Sequence, residues 1–489
     1  MTQEIYNSLL KIAQQFPNEI AIISEESSIT YKCLVEESCK CSKYLIGKGV
    51  KKNSKVGVMV SGDIQDIVNI FGTIIAGGVF VPMDIDIPKK MFNQINQECD
   101  LITILNLKRD FSQINMQDVF RQNQASKSLE YRDDTSLSYI MYTSGTTGKP
   151  KGVKITDRNL NTFWKGMEAF LDISPLETNI LAITPLTFDI SLIETILSVS
   201  KGAKCIMVKY RDKINPYKIS RIIKKHHINV VQFTPTYLKY LSHFLRNDFS
   251  FLKQVNKIFV GGEVVDKEVI EILMKSTKAR IFNCYGPTET TIWATIKEIK
   301  NCNCISLGWP LKGYNVRLDY KERENDIGEI VISGQAVSSG YLSELQEVNP
   351  NFKKNSEGVW EYYTGDIGRY QENELYYCWR KDRQVKVNGF RVEPGEVEAL
   401  IKKHFNINEC IIIMFSRTNR DILICIYIGE IFLNRAQVTK ILSNYVSSNI
   451  IPMYFVRVSE IPMTKHNKID MNRLRELAKR EMEVIKNQK

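Results

Sequence analysis

The segment best equipped for chemistry is a glycine-rich loop running from Tyr142 to Val153, with the order Tyr-Thr-Ser-Gly-Thr-Thr-Gly-Lys-Pro-Lys-Gly-Val. Glycines such as Gly145 let backbone N–H groups approach an anion closely. The hydroxyls of Thr143, Ser144, Thr146 and Thr147 add donors, and Lys149 and Lys151 add charge. The combination suits a polyphosphate. It is not a Walker A loop, because Pro150 stands where a Ser or Thr must follow Lys149. Taken alone, such a loop is more often a surface turn than a phosphate cradle. Only five histidines are present, none in HExxH spacing, and there is no GxSxG elbow. The chemistry is therefore not expected to run on a histidine base.

The elements that must position this loop alternate in type. An apolar run, Leu137 to Met141, leads into it. Further on, strand patterns at 179–185, 205–208, 230–233, 257–260 and 280–284 alternate with helix patterns at 216–226, 236–245 and 266–274. Ser191 and Glu194 have capping-box spacing at the start of one more apolar helix. Alternation at this spacing predicts an α/β fold with doubly wound, mostly parallel sheets. After Gly313 the pattern changes to short strands, 314–319 and 329–333, which predicts a small β-rich subdomain. Asn388-Gly389 between two alternating runs predicts a type I′ hairpin, since both turn residues need positive φ. A boundary at 379–383 divides the chain into an N-terminal core, 1–381, and a small α+β C-terminal domain, 382–489.

Composition bounds the class. At roughly 150 residues per domain, 489 residues allow about three domains. A 43% hydrophobic and 25% charged chain is ordinary globular material. The net charge of +11 fits an anionic ligand or an acidic partner but is spread along the chain, so no nucleic-acid partner is expected. The eleven cysteines show no CxxC pair and read as reduced thiols. The first residues lack a basic and then apolar leader, and the longest uncharged run, Asp66 to Asp84, falls short of the ~20 apolar residues of a membrane span. A cytoplasmic chain without a membrane span is expected.

With the loop and these elements placed, the sequence resembles the adenylate-forming enzymes, which include acyl-CoA synthetases, luciferases and the adenylation domains of nonribosomal peptide synthetases. The resemblance covers nearly the whole chain in order. It rests on Thr30-Tyr31, Ala76 to Asp84, the 142–153 loop, Phe188-Asp189, Asn283 to Glu289, Gly328-Glu329, Gly340 to Leu342, Tyr363 to Asp366, Arg380, Asp382 to Lys386, Gly389 to Glu393 and Lys468 to Asp470. Any one of these is weak and the ordered set is specific. Departures are Trp379 and Asn467, where the family usually has Gly, and Met471, where it usually has Arg.

The resemblance implies attack of a carboxylate on the α-phosphate of ATP, giving an acyl-adenylate and pyrophosphate. A carboxylate is already ionised at neutral pH and needs no base, in keeping with the few histidines. By the same resemblance, Thr143, Ser144, Gly145, Thr146, Thr147 and Lys151 would hold the phosphates, and Gly262 would border the nucleotide. Tyr285 would stack on adenine and Asn283 would bond its edge. Asp366 would accept both ribose hydroxyls, with Arg380 beside it. Thr288 would touch the α-phosphate, Glu289 would bind Mg²⁺, and Lys468 would be the catalytic lysine.

Asp189 in the Phe-Asp motif marks amino-acid-activating members, where it pairs with the α-ammonium of the substrate. The other pocket positions implied by alignment of motifs are Ile190, Ile193, Gln232, Phe259, Gly261, Cys284, Ile292 and Trp293. With Asp189 and Lys468 they resemble the glycine-type pocket of peptide synthetases, and three bulky side chains agree with a small substrate. Glycine is expected first and alanine next. The second half-reaction would pass the aminoacyl group to phosphopantetheine on a separate carrier protein, with Asp382 as the hinge. A D-alanine–carrier protein ligase, which usually has Cys where Gly261 stands, and an acyl- or aryl-CoA ligase are the alternatives.

Overall fold

Short apolar runs between capped helices resolve into two mostly parallel sheets. The computed structural model describes residues 2–25, 27–106, 132–143, 150–320, 327–342, 350–387, 390–416, 421–462 and 470–487, with 210, 211, 472 and 481–487 described by backbone alone. The chain divides into two compact units: Met1–Asp86, Ile95–Tyr142 and Gly152–Lys381 form the first, and Ile87–Gln94, Thr143–Lys151 and Asp382–Lys489 form the second.

The larger sheet of the first unit has nine strands. Their order is Trp309–Pro310, Thr295–Glu298, Arg280–Tyr285, Lys257–Gly261, Val230–Phe233, Asn179–Ala182, Lys204–Met207, Ile20–Ile23 and Ser28–Thr30. The central pairs are parallel and the edge strands antiparallel. The central strands are almost wholly buried, as a parallel sheet covered on both faces requires. The crossover helices start where their sequences allow a cap. Asn215 caps Pro216–Lys225, Thr234 caps Pro235–Phe244 and Asp266 caps Lys267–Ser276, each side-chain oxygen accepting an N–H of the first turn. A second sheet orders Thr103–Leu105, Lys55–Val60, Val79–Asp84, Leu137–Thr143 and Lys151–Thr156. The last two strands flank the glycine-rich loop.

The expected β-rich region is a five-stranded antiparallel sheet of Tyr314–Asp319, Ile327–Gly334, Phe352–Lys354, Trp360–Gln371 and Glu374–Arg380. The long uncharged run becomes the C-terminal part of a helix, Ile64–Ile75, and then a strand, Val79–Asp84. Among the described residues no helix is long and apolar enough to cross a membrane.

The capping box expected at Ser191 is not made. The Ser191 hydroxyl donates to the Phe188 carbonyl at 2.6 Å, and the helix carries a π segment at Ile193–Leu197. Glu194 turns away to the end of the Asn179–Ala182 strand, where its Oε2 accepts the N–H groups of Ile183 and Thr184, both at 2.9 Å. Those two donors lie past the end of the strand, and a donor removed from water needs an acceptor. That demand outweighs the local cap.

In the second unit, Val385–Val387 pairs antiparallel with Phe390–Val392, and the Asn388-Gly389 turn lies outside the described residues. A three-stranded sheet, Glu409–Ser416, Asp421–Ile428 and Tyr454–Arg457, carries the helices Pro394–Phe405, Arg435–Leu442 and Met471–Asn487. Arg383 anchors the entry to it. Its guanidinium donates to both oxygens of Glu398, at 2.6 and 3.2 Å, while Glu398 Oε1 accepts from the Ile412 N–H at 2.6 Å. Asp382 Oδ1 accepts the Gln384 N–H at 3.1 Å.

The first unit contains a tight helix crossing that a single methyl group tests. A Cβ at Gly72, on helix Ile64–Ile75, would lie 2.5 Å from Cys41 Sγ on helix Tyr31–Gly47. Gly72→Ala is expected to cost about 1–3 kcal/mol despite the better helix propensity of alanine. Urea denaturation should show a lower midpoint with an unchanged m-value.

Candidate active site

At the ends of two strands, a carboxylate is held by two partners. Asp366 stands opposite Arg380 in the antiparallel ladder. Arg380 Nη1 donates to Asp366 Oδ1 at 2.8 Å and Nη2 to the Thr364 carbonyl at 3.2 Å. Tyr285, at the end of Arg280–Tyr285, donates its hydroxyl to Asp366 Oδ2 at 2.6 Å. Burial first, then the adjacent Asp366 charge, hold that phenol well above its ordinary pKa, so it remains a donor. A carboxylate has about four lone-pair sites, so Asp366 keeps acceptor capacity after both bonds. Two positions before Tyr285, the buried Asn283 donates its amide to the Ser306 carbonyl at 2.7 Å.

The chain then makes a 3₁₀ turn, Thr288–Thr290, followed by two β-branched residues in left-handed conformation, Thr291 at φ 61° and Ile292 at φ 67°. Such residues adopt that region only under constraint. The constraint is visible: Thr291 Oγ1 donates to the Ala336 carbonyl at 2.6 Å, and Tyr314 Oη lies 3.0 and 3.2 Å from the carbonyl oxygens of Thr290 and Thr291, with one proton for either. The turn buries Glu289 fully, and Glu289 Oε1 accepts from Tyr341 Oη at 2.8 Å.

The same turn serves Asp189. This carboxylate is buried, and the nearby Thr288 hydroxyl and the N–H groups of Ile190 and Ile292 favour its charged form. Among the described residues its buried Oδ2 has no hydrogen-bond partner. Burial pushes its pKa up to about 6, with the Glu289 charge adding and the Thr288 hydrogen bond opposing. The sequence reading missed a neighbour, Tyr139. Its buried hydroxyl has no partner and feels the Asp189 charge. A tyrosine inside the apolar run before the loop was the available signal, because a buried phenol normally finds a partner.

The remaining pocket positions lie along neighbouring strands. Gln232 and Phe259 are in register, as are Gly261 and Cys284. Phe259 stacks on Phe282 at 5.1 Å and on Trp293 at 6.1 Å between ring centroids. A Cβ at Gly261 would lie 2.8 Å from the Cys284 carbonyl oxygen and 3.0 Å from Trp293 Nε1, so only glycine keeps that approach. Gly262 has φ of +89°, and a Cβ there would face Ile190 at 3.8 Å. Ile193 opens the π segment and is buried. Among the described residues, Gln232 Nε2, Trp293 Nε1 and Asp189 Oδ2 are buried without partners. Three unmatched polar atoms thus belong to residues that alignment of motifs puts in one pocket. Ser144, Gly145, Thr146, Thr147 and Lys468 lie outside the described residues, while Thr143 ends one flanking strand and Lys151 opens the next. Among the described residues no cluster of three or more His, Cys, Asp or Glu side chains could hold a metal ion.

Residues 9–342 match the family model of the AMP-binding enzymes. The chain belongs to this family. It is similar to the zwittermicin A synthase ZmaJ of Bacillus cereus, 30% identical over 93% of this chain and 91% of the relative. It is also similar to a mycosubtilin synthase of Bacillus subtilis, 29% identical over 94% of this chain, and spans 19% of that relative's length. Among solved structures, the holo form of AB3403, a four-domain nonribosomal peptide synthetase bound to AMP and glycine, aligns with a TM-score of 0.69 and 26% identity, over 96% of this chain and 36% of that one. Holo-PA1221, a synthetase protein with adenylation and carrier domains, aligns with a TM-score of 0.81 and 22% identity, over 96% and 83%. The chain is an AMP-forming ligase of the adenylation-domain type.

The raised pKa of Asp189 gives a test that needs no substrate. Its folded value lies above the unfolded one, so the penalty of burying the carboxylate grows as pH rises from about 4 to about 6 and is constant above. Asp189→Asn is expected to raise the thermal midpoint of the unliganded protein at about pH 8. That gain should disappear at about pH 4, where the wild-type group is protonated. Differential scanning calorimetry at the two pH values checks it.

Proposed function

We propose that this protein activates a small amino acid, glycine first and alanine next, as the aminoacyl-adenylate with release of pyrophosphate, and passes it to the phosphopantetheine thiol of a carrier protein. The observation that carries the reading is the buried Asp189 Oδ2, which has no partner among the described residues. A half-satisfied buried carboxylate calls for a cation that brings its own hydrogen bonds. The α-ammonium of an amino acid is such a group, and a fatty or aryl acid has none, which disfavours the CoA-ligase alternative. Small size is supported by the buried bulk of Trp293, Phe259 and Gln232 and by the glycine bound to AB3403, a 26% identical relative. None of the eleven cysteines forms a disulfide, which fits a cytoplasmic protein.

In this reading the substrate carboxylate attacks the α-phosphate as an anion, and the protein's task is electrostatic. Asp366 accepts the ribose hydroxyls, kept in place by Arg380 and Tyr285, while Tyr285 presents its ring to adenine and Asn283 bonds the base edge. Gly262 leaves room beside the nucleotide. The loop residues Thr143, Ser144, Gly145, Thr146, Thr147 and Lys151 hold the phosphates. Thr288 reaches the α-phosphate from beside Asp189, so nucleotide and amino acid meet on one turn. A single buried carboxylate, Glu289, fits Mg²⁺, which is usually held by one or two carboxylates together with substrate phosphates. When bound, that ion supplies positive charge beside the phosphates. Lys468 bridges the carboxylate and the α-phosphate, and Asp382 is the hinge for the second half-reaction.

An ATP–pyrophosphate exchange panel across the twenty amino acids is expected to rank glycine first and alanine second. Preference for leucine or phenylalanine would overturn the assignment of substrate. Lys468→Ala is expected to lower the adenylation rate by about 10²–10³-fold with the fold unchanged. Undiminished adenylate formation in a single-turnover assay would remove this lysine from the chemistry.

A further inference from the structure

Behind the pocket the Thr184 hydroxyl lies between two acceptors. Its Oγ1 is 2.6 Å from Glu194 Oε1 and 2.8 Å from Gln232 Oε1. A hydroxyl has one proton, so it cannot donate to both. Glu194 has the stronger demand. Its Oε2 already takes the N–H groups of Ile183 and Thr184, and Lys213 faces it with positive charge. Three donors on its two oxygens are the surroundings of an ionised carboxylate, which only accepts.

With the Thr184 proton committed to Glu194, the oxygens of Thr184 and Gln232 would face each other with no proton between them. Meanwhile Gln232 Nε2 is buried and without a partner. Half a turn of the Gln232 amide removes the first fault and leaves an acceptor, not an NH₂, at the buried position that has no partner among the described residues. Nε2 then donates to Thr184 Oγ1, and the carbonyl oxygen takes the place of the unpartnered nitrogen. The oxygen and nitrogen of a side-chain amide are assigned from the hydrogen-bond network, so the network decides their placement.

We infer that Glu194 and Thr184 are positioning residues for the amino-acid pocket, fixing the Gln232 amide so that it presents its carbonyl oxygen and not its NH₂. This deepens the proposed function and rests on it. The pocket then offers one acceptor from Gln232 and one donor from Trp293 Nε1, where the alternative orientation offers two donors. Neither positioning residue touches the substrate.

The test is amino-acid-dependent ATP–pyrophosphate exchange with glycine, run at about pH 8, because burial holds Glu194 up at about 7. Thr184→Val keeps the shape and removes the hydroxyl. It is expected to raise the KM for glycine about five- to tenfold and leave the KM for ATP within about twofold. Thr184→Ser should restore the wild-type value. Glu194→Gln, whose new NH₂ would donate to Thr184 and free its proton for Gln232, should give the same selective rise, and it serves if Thr184→Val does not fold. In a Gln232→Leu background, Thr184→Val should add less than about twofold, since no amide remains to be oriented. Independent multiplication of the two losses, an unchanged glycine KM, or an equal rise in both KM values overturns the inference. Wild-type protein that exchanges with no amino acid overturns the functional reading and this inference together. Normal wild-type exchange with independent losses overturns the inference alone.

Discussion

A carboxylate taken out of water with one oxygen left unmatched governs the layout of this site. Donor groups of three residues favour the charged form of Asp189, yet among the described residues its Oδ2 has no hydrogen-bond partner. A protein interior tolerates such a group only when something else compensates it or when a ligand completes it. The surrounding structure is arranged to hold the group there. The Thr288–Thr290 turn and the left-handed pair Thr291 and Ile292 bring a hydroxyl and an N–H to the carboxylate, and Tyr314 and Ala336 keep that turn from relaxing.

Asp366 shows the contrasting solution. Both of its oxygens already have partners, Arg380 on one and Tyr285 on the other, in an antiparallel ladder whose register shifts just beyond it, between Ile367 and Gly368. A fully supported carboxylate suits neutral hydroxyls, which ask only for lone pairs. A half-supported one suits a cation. Two aspartates on the same chain thus differ in how far their surroundings satisfy them, and not in their side-chain chemistry.

Behind these contacts runs a polar seam in a mostly apolar sheet. Glu194 satisfies two backbone donors past a strand end and the Thr184 hydroxyl, which in turn meets Gln232. Strand-end donors in a doubly wound sheet must find acceptors once helices cover them. Here the acceptor comes from the helix that follows, which ties the sheet to the pocket wall.

Much of this was legible in the sequence. The β-α alternation and the separate β-rich region follow from the periodicity of apolar residues, which acts over a few residues. The ordered motifs supplied the residues proposed to line the amino-acid pocket. Sequence could not see the capping box fail, because Ser191 and Glu194 have the right spacing and only the buried strand end, distant in local structure, competes for the carboxylate. It could not see Tyr139 enter the surroundings of Asp189, nor the register that sets Arg380 across from Asp366. Residue type and spacing determined which groups are available for chemistry. Which of them are left unsatisfied, and hence open to a ligand, was decided by burial and hydrogen-bond competition between segments far apart in the chain, and those exist only in the folded molecule.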